Sequence, residues 1–149
     1  MLAPDGVPSW VRDRKEFWNQ TEEVDSRKNS CFGKAYTIVL QNELTLEQNK
    51  AIVKIFCMKN FVAHGHVCDI AIHEPPEDSK RKDNIHTHLM ISSRQVDKVG
   101  RGLKFRPLDN KKFLMDLRAA WAEDVNTALM KAGRPERVSH KSLAEQKIE

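Results

Sequence analysis

The stretch that decides the fold is Val67-Cys68-Asp69-Ile70-Ala71-Ile72-His73, followed after a polar connection by Ile85-His86-Thr87-His88-Leu89-Met90-Ile91-Ser92. Both runs are aliphatic, partly β-branched and of strand length. The connection at 74–84 carries Pro75-Pro76 and Lys80-Arg81-Lys82 and has no room for a crossover helix. The two strands are therefore expected to be antiparallel neighbours. Alternate side chains of a strand share a face, so His86 and His88 point the same way, about 6–7 Å apart. Folding the connection back sets His73 beside His86 as a candidate third member. Asp69 shares the face of Ala71 and His73 and is a candidate acceptor for the far nitrogen of a metal-bound imidazole. Arg94 falls on the histidine face if the strand continues.

Working outward, Ala35-Tyr36-Thr37-Ile38-Val39-Leu40 reads as another strand. Ser9 precedes Trp10, Phe17, Trp18 and Val24 at roughly helical spacing, which predicts an N-capped helix to about residue 26. Thr45 with Gln48 is a capping-box pair. It opens a helix to about residue 61, with Leu46, Ala51, Ile52, Ile55, Phe56 and Met58 toward the core. Residues 94–112 read as a loop holding Arg94, Lys98, Arg101, Lys104, Arg106, Lys111 and Lys112 against Asp97 and Asp109. A long helix over 110–132 buries Phe113, Leu114, Leu117, Trp121, Val125 and Leu129 and stops at Gly133 and Pro135. The order strand, helix, strand, loop, strand, helix predicts an α+β domain, one antiparallel sheet with helices on one face. The domain is expected over residues 1–136, with a short basic tail at 137–149.

The chain has 149 residues, 40% hydrophobic and 31% charged, which suits one globular domain and excludes a membrane-spanning protein. The first residues do not read as a signal peptide. Three cysteines, Cys31, Cys57 and Cys68, have no paired spacing and read as reduced thiols of a cytoplasmic protein. The net charge of +4, from 25 basic and 21 acidic residues, permits a nucleic-acid partner without demanding one.

Six histidines carry the functional signal. The H-x-H pair with His73 reads either as a metal site or as an accident of strand composition. A rival cluster, His64-Gly65-His66-Val67-Cys68, imitates a zinc site but has no fourth ligand at the short spacing structural zinc favours. His140 reads as a solvated or capping residue of the tail.

The runs 69–73 and Asn84-Ile85-His86-Thr87-His88-Leu89-Met90-Ile91-Ser92-Ser93-Arg94 resemble the metal-binding core of the MobA/MobL family, plasmid mobilisation relaxases of the HUH endonuclease class. Leu2-Ala3-Pro4-Asp5-Gly6-Val7-Pro8-Ser9-Trp10, Leu117-Arg118-Ala119-Ala120-Trp121-Ala122 and Val138-Ser139-His140-Lys141-Ser142-Leu143 are similar to further family segments, in order along nearly the whole chain. The resemblance implies an HUH relaxase-like fold. It implies His73, His86 and His88 as ligands of a divalent cation, Mg or Mn, with Zn also suited to three imidazoles. It implies single-stranded origin-of-transfer DNA as partner, together with other relaxosome proteins, and no membrane. A tyrosine would attack the scissile phosphate and become joined to its 5′ side. Arg94, Lys98, Arg101, Lys104 and Arg106 are candidates for the DNA backbone.

The family's nucleophilic tyrosine lies in a segment after the first strand, ahead of the region matched here. The single tyrosine, Tyr36, falls in a later strand and reads as a packing residue. The expectation is a relaxase piece without its first strand, first helix and nucleophile, inactive alone and completed by an N-terminal fragment. A non-catalytic metal- and DNA-binding remnant, or a structural zinc module, is the alternative.

Overall fold

Gly33–Val39 (β1), Cys68–His73 (β2) and His86–Ser92 (β3) form a three-stranded antiparallel sheet with β3 in the centre. The computed structural model describes residues 1–75, 77, 78 and 85–148. Most of the 74–84 connection, Lys80-Arg81-Lys82 included, therefore lies outside the described residues. Register follows alternation. His88 pairs with Thr37 on one side and Ala71 on the other, and His86 pairs with Val39 and His73.

The odd-numbered face of β3 is the core face: Thr87, Leu89 and Ile91 are buried. Leu46–Asn60 (α2) and Lys111–Lys131 (α3) cover it, with Val53, Phe56, Cys57, Phe61, Leu108 and Leu117 in the same cluster. These two helices shield one face, as expected for this α+β order, whereas the helix at Arg14–Val24 meets the opposite face at Asp69. Full burial of a side chain such as Leu89 contributes about 1.5–3 kcal/mol. Thr45 caps α2 with the reciprocal Gln48 contact that the pair predicted. Within α2, buried Asn49 accepts from Gln41 N and donates to Gln41 O, fixing the turn out of β1.

Several local expectations give way to tertiary packing. Ser9–Arg12 is a 3-10 turn, and Asp13, in extended conformation, caps Arg14–Val24 (α1) by accepting from Glu16 N. Val24 is exposed, so the apolar stripe ends at Thr21. In α2 the buried face is Asn49, Ile52, Val53, Phe56 and Cys57, whereas Ala51, Ile55 and Met58 face outward. The expected 94–112 loop contains a hairpin of Arg94–Val96 (β4) and Arg101–Lys104 (β5), then a 3-10 turn at Arg106–Asp109. Residues past 136 do not leave at once. The Asn126 side chain bonds both the N–H and the C=O of Val138, which packs beside Leu44, Ile52, Val125 and Leu129. A short helix, Leu143–Ile148 (α4), follows.

Candidate metal centre

The even-numbered face of β3 carries His86 and His88, with His73 supplied by β2. Helices α2 and α3 lie on the other side, and these imidazoles stay in reach of solvent: His73 and His88 are exposed and His86 is half-buried. The His73 and His86 rings stack at 5.3 Å and 9°. His88 meets them edge-on at 4.8 and 4.9 Å. One ligand nitrogen from each ring lies within 4.8 Å of the others, and among the described residues no other His, Cys, Asp or Glu group of three converges in this way. Three neutral imidazoles on a rigid sheet are a fitting donor set for a divalent ion, with positions left open for solvent or a phosphate oxygen.

Thr37 completes the ligand environment in a way the sequence reading missed. Its Oγ1 lies 3.1 Å from His88 Nδ1. With Nδ1 protonated, the hydroxyl accepts and leaves Nε2 as the metal-facing lone pair. Thr37 is the cross-strand partner of His88, a fact that only the register reveals.

Asp69, the expected imidazole partner, is engaged elsewhere. Its Oδ1 accepts from Arg14 Nε at 2.8 Å and its Oδ2 from Trp18 Nε1 at 3.0 Å. It lies on the histidine face, but level with Met90, one pair step from His88. The spacing of Arg14 and Trp18, four apart on α1, was the available signal that they point together.

The basic candidates divide. Ser92 ends β3: its Oγ accepts from Val67 N and donates to Arg94 O, so the backbone turns and Arg94 enters the separate β4–β5 sheet. Arg94 therefore does not join the histidine face. Its Nη2 and Nε donate to Asp25 at 2.9 and 3.2 Å, and Nη1 donates to Gly102 O. Asp25 is buried, and the Arg94 guanidinium holds its carboxyl below the ordinary carboxylate range, outweighing the opposing effect of burial. Lys104 sits 3.6 Å from the same carboxylate and donates to Ser30 Oγ. Arg101 lies over the Trp10 and Phe17 rings, 5.1 and 5.6 Å from their centroids, and donates to Thr21 Oγ1. Lys98 and Arg106 are exposed.

The rival cluster is dispersed. His66 is buried, with Nδ1 2.7 Å from Ser92 O, and burial lowers its pKa; His64 is exposed. Cys68 is buried, and the neighbouring Cys57 thiol and burial push its pKa up. His140 is exposed. Tyr36 pairs with Leu89 on the core face and stacks on Phe61 at 5.9 Å; burial raises its phenol pKa. It is on the side of the sheet opposite the histidines. Among the described residues, no helix is long and apolar enough to cross a membrane.

Comparison with known proteins places these features in context. The MobA/MobL family matches residues 1–149. The chain is 32% identical to conjugal transfer protein TraA of Rhizobium radiobacter, over 93% of this chain and 14% of that protein. It is 30% identical to mobilization protein A of Escherichia coli, over 96% of this chain and 22% of the relative. It is 28% identical to mobilization protein MobL of Acidithiobacillus ferridurans, over 100% and 46%. The chain thus spans less than half the length of these relatives. A solved structure described as the molecular basis of vancomycin resistance transfer in Staphylococcus aureus superposes with a TM-score of 0.82 at 28% identity, covering 95% of this chain and 73% of that one. This likeness bears out the expected α+β, relaxase-like fold.

Proposed function

Starting from the MobA/MobL family, to which this chain belongs over residues 1–149, we propose that it is the relaxase unit of a conjugative mobilisation system. Its substrate on this reading is single-stranded DNA at an origin of transfer, in the cytoplasm, with relaxosome proteins as further partners. The observation that carries the reading is the convergence of His73, His86 and His88 on the open face of the sheet.

These three side chains would hold Mg or Mn, and the donor set also suits Zn. When bound, the ion polarises a phosphoryl oxygen of the scissile phosphate and offsets the charge that develops there. The imidazoles would hold the ion on the open face of β3, where a phosphate oxygen could take one of its remaining positions. Thr37 orients His88 and keeps its proton on Nδ1. The nucleophile is a tyrosine whose phenolate oxygen attacks phosphorus, joins the 5′ phosphate and expels the 3′ hydroxyl.

Two features argue against Tyr36 in that role: it lies on the face opposite the histidines, and burial opposes its ionisation. We assign the nucleophile to a tyrosine-bearing segment outside residues 1–149. Its proposed place is the outer edge of β1, where a groove of about 450 Å³ runs between Ile38 and the Leu114 and Trp121 side of α3. An added strand would pair with that edge. Lys98 and Arg106 remain as contacts to the DNA backbone.

The test is a nicking assay with Mn on an origin-like single strand, with and without a tyrosine-bearing family segment in trans. Covalent protein–DNA product requiring both pieces is expected. Product from residues 1–149 alone, lost in Tyr36→Phe, overturns the assignment of the nucleophile. DNA binding without any product favours the non-catalytic remnant, and metal binding without DNA binding favours the structural zinc module.

A further inference from the structure

The open face of the sheet does not end at the histidines. One pair step along, level with Met90, α1 reaches over and leaves a groove of about 340 Å³ between itself and the strands. Its floor is Ala35, Ala71 and Met90, one end is His88, and the other is the Arg14–Asp69 pair.

The arrangement at that far end is specific. Asp69 accepts from Arg14 through Nε alone, and its second oxygen is held by Trp18. Among the described residues the two Nη groups of Arg14 have no partner, and the side chain is 60% exposed. A guanidinium gripped by Nε keeps its outer fork free and fixed in direction, the geometry suited to a phosphate. The separation from the His88–Ala71 pair to the Asp69–Met90 pair is two residue rises, about 7 Å. That is of the order of one nucleotide step of an extended single strand. The exposed alanines leave the space between the two ends open to a sugar or base.

We propose that this groove is a nucleotide subsite: Arg14 takes the phosphate next to the one at the histidines, and the intervening nucleoside lies over Ala35 and Ala71. Asp69 and Trp18 are positioning residues for Arg14. The inference rests on the relaxase reading above, since that reading supplies the single strand.

The test is fluorescence anisotropy of a labelled single-stranded oligonucleotide over a salt series, with chelator present so that metal plays no part. Arg14→Ala is expected to weaken binding roughly tenfold and to flatten the log–log salt slope by about 0.7, one single-strand phosphate contact. Ala71→Leu fills the groove without changing charge; it is expected to weaken binding several-fold with the slope unchanged. Parental chain that shows no salt-dependent binding overturns the relaxase reading itself. Parental binding that both variants reproduce overturns only the subsite. If Arg14→Ala lowers the melting temperature, Ala71→Leu decides, since residue 71 is exposed, and unchanged affinity there overturns the subsite.

Discussion

The histidine face of β3 and the basic hairpin that follows it read alike in the sequence, as clusters of candidate functional side chains. The fold treats them in opposite ways. His73, His86 and His88 are brought together and left open, whereas Arg94, Arg101 and Lys104 are spent inside the structure on Asp25, Thr21 and two aromatic rings. The difference lies in what each side chain can reach. Strand alternation puts histidines two apart on one face whatever else the chain does. A long cation goes wherever a buried carboxylate needs it, because an unpaired buried charge is costly.

The largest expected effect tests the structural half of that contrast. Asp25→Ala leaves Arg94 and Lys104 facing each other without their carboxylate, and should cost about 3 kcal/mol in urea denaturation. A loss under 1 kcal/mol would return these cations to the pool of free DNA contacts. The functional half is tested by His86→Ala. The parent should gain about 2.7 kcal/mol of stability at metal concentrations a hundredfold above its dissociation constant, and the variant none of it. Equal shifts in both melts would break the three-histidine assignment.

Thr37→Val is subtler. Losing the hydroxyl partner of His88 should weaken metal affinity about tenfold, or 1.4 kcal/mol, while metal-free stability changes little. Calorimetric titration reads it, and unchanged affinity would reduce Thr37 to a bystander. The smallest effect concerns acid. The Asp25 carboxyl is held below its ordinary value in the folded state. Its contribution is therefore fully present above the unfolded pKa of about 3.9 and fades as pH falls through the lower, folded value. Asp25→Asn should flatten this part of the acid limb of a stability–pH curve, whereas His88→Ala should not.

Much of the fold was legible because its signals are local. Thr45 and Gln48 form the capping box in the structure, Gly133 ends α3 at a positive φ of 71°, and the β2–β3 pairing follows from alternation and a short connection. The start of α1 was misplaced because Ser9 opens a separate 3-10 turn, and an extended Asp13 caps the helix proper. The outward turn of Ile55 and Met58 was hidden because α2 is apolar around much of its circumference, and which stripe it buries depends on the sheet beneath it. Arg94 leaves the histidine face for a comparable reason. The parity was right, but Ser92 bonds across to Val67 and bends the chain just before it.

What the sequence determined by itself was the face: the period-two placement of His86 and His88, and the third histidine at the end of the adjoining run. That follows from backbone geometry, which every strand shares. What only the tertiary structure decided was the company those histidines keep. The register sets Thr37 against His88, the docking of α1 draws Asp69 away to Arg14 and Trp18, and the buried Asp25 claims Arg94 and Lys104. Each is a contact between residues dozens of positions apart, fixed by strand pairing and by the need to satisfy charge away from water.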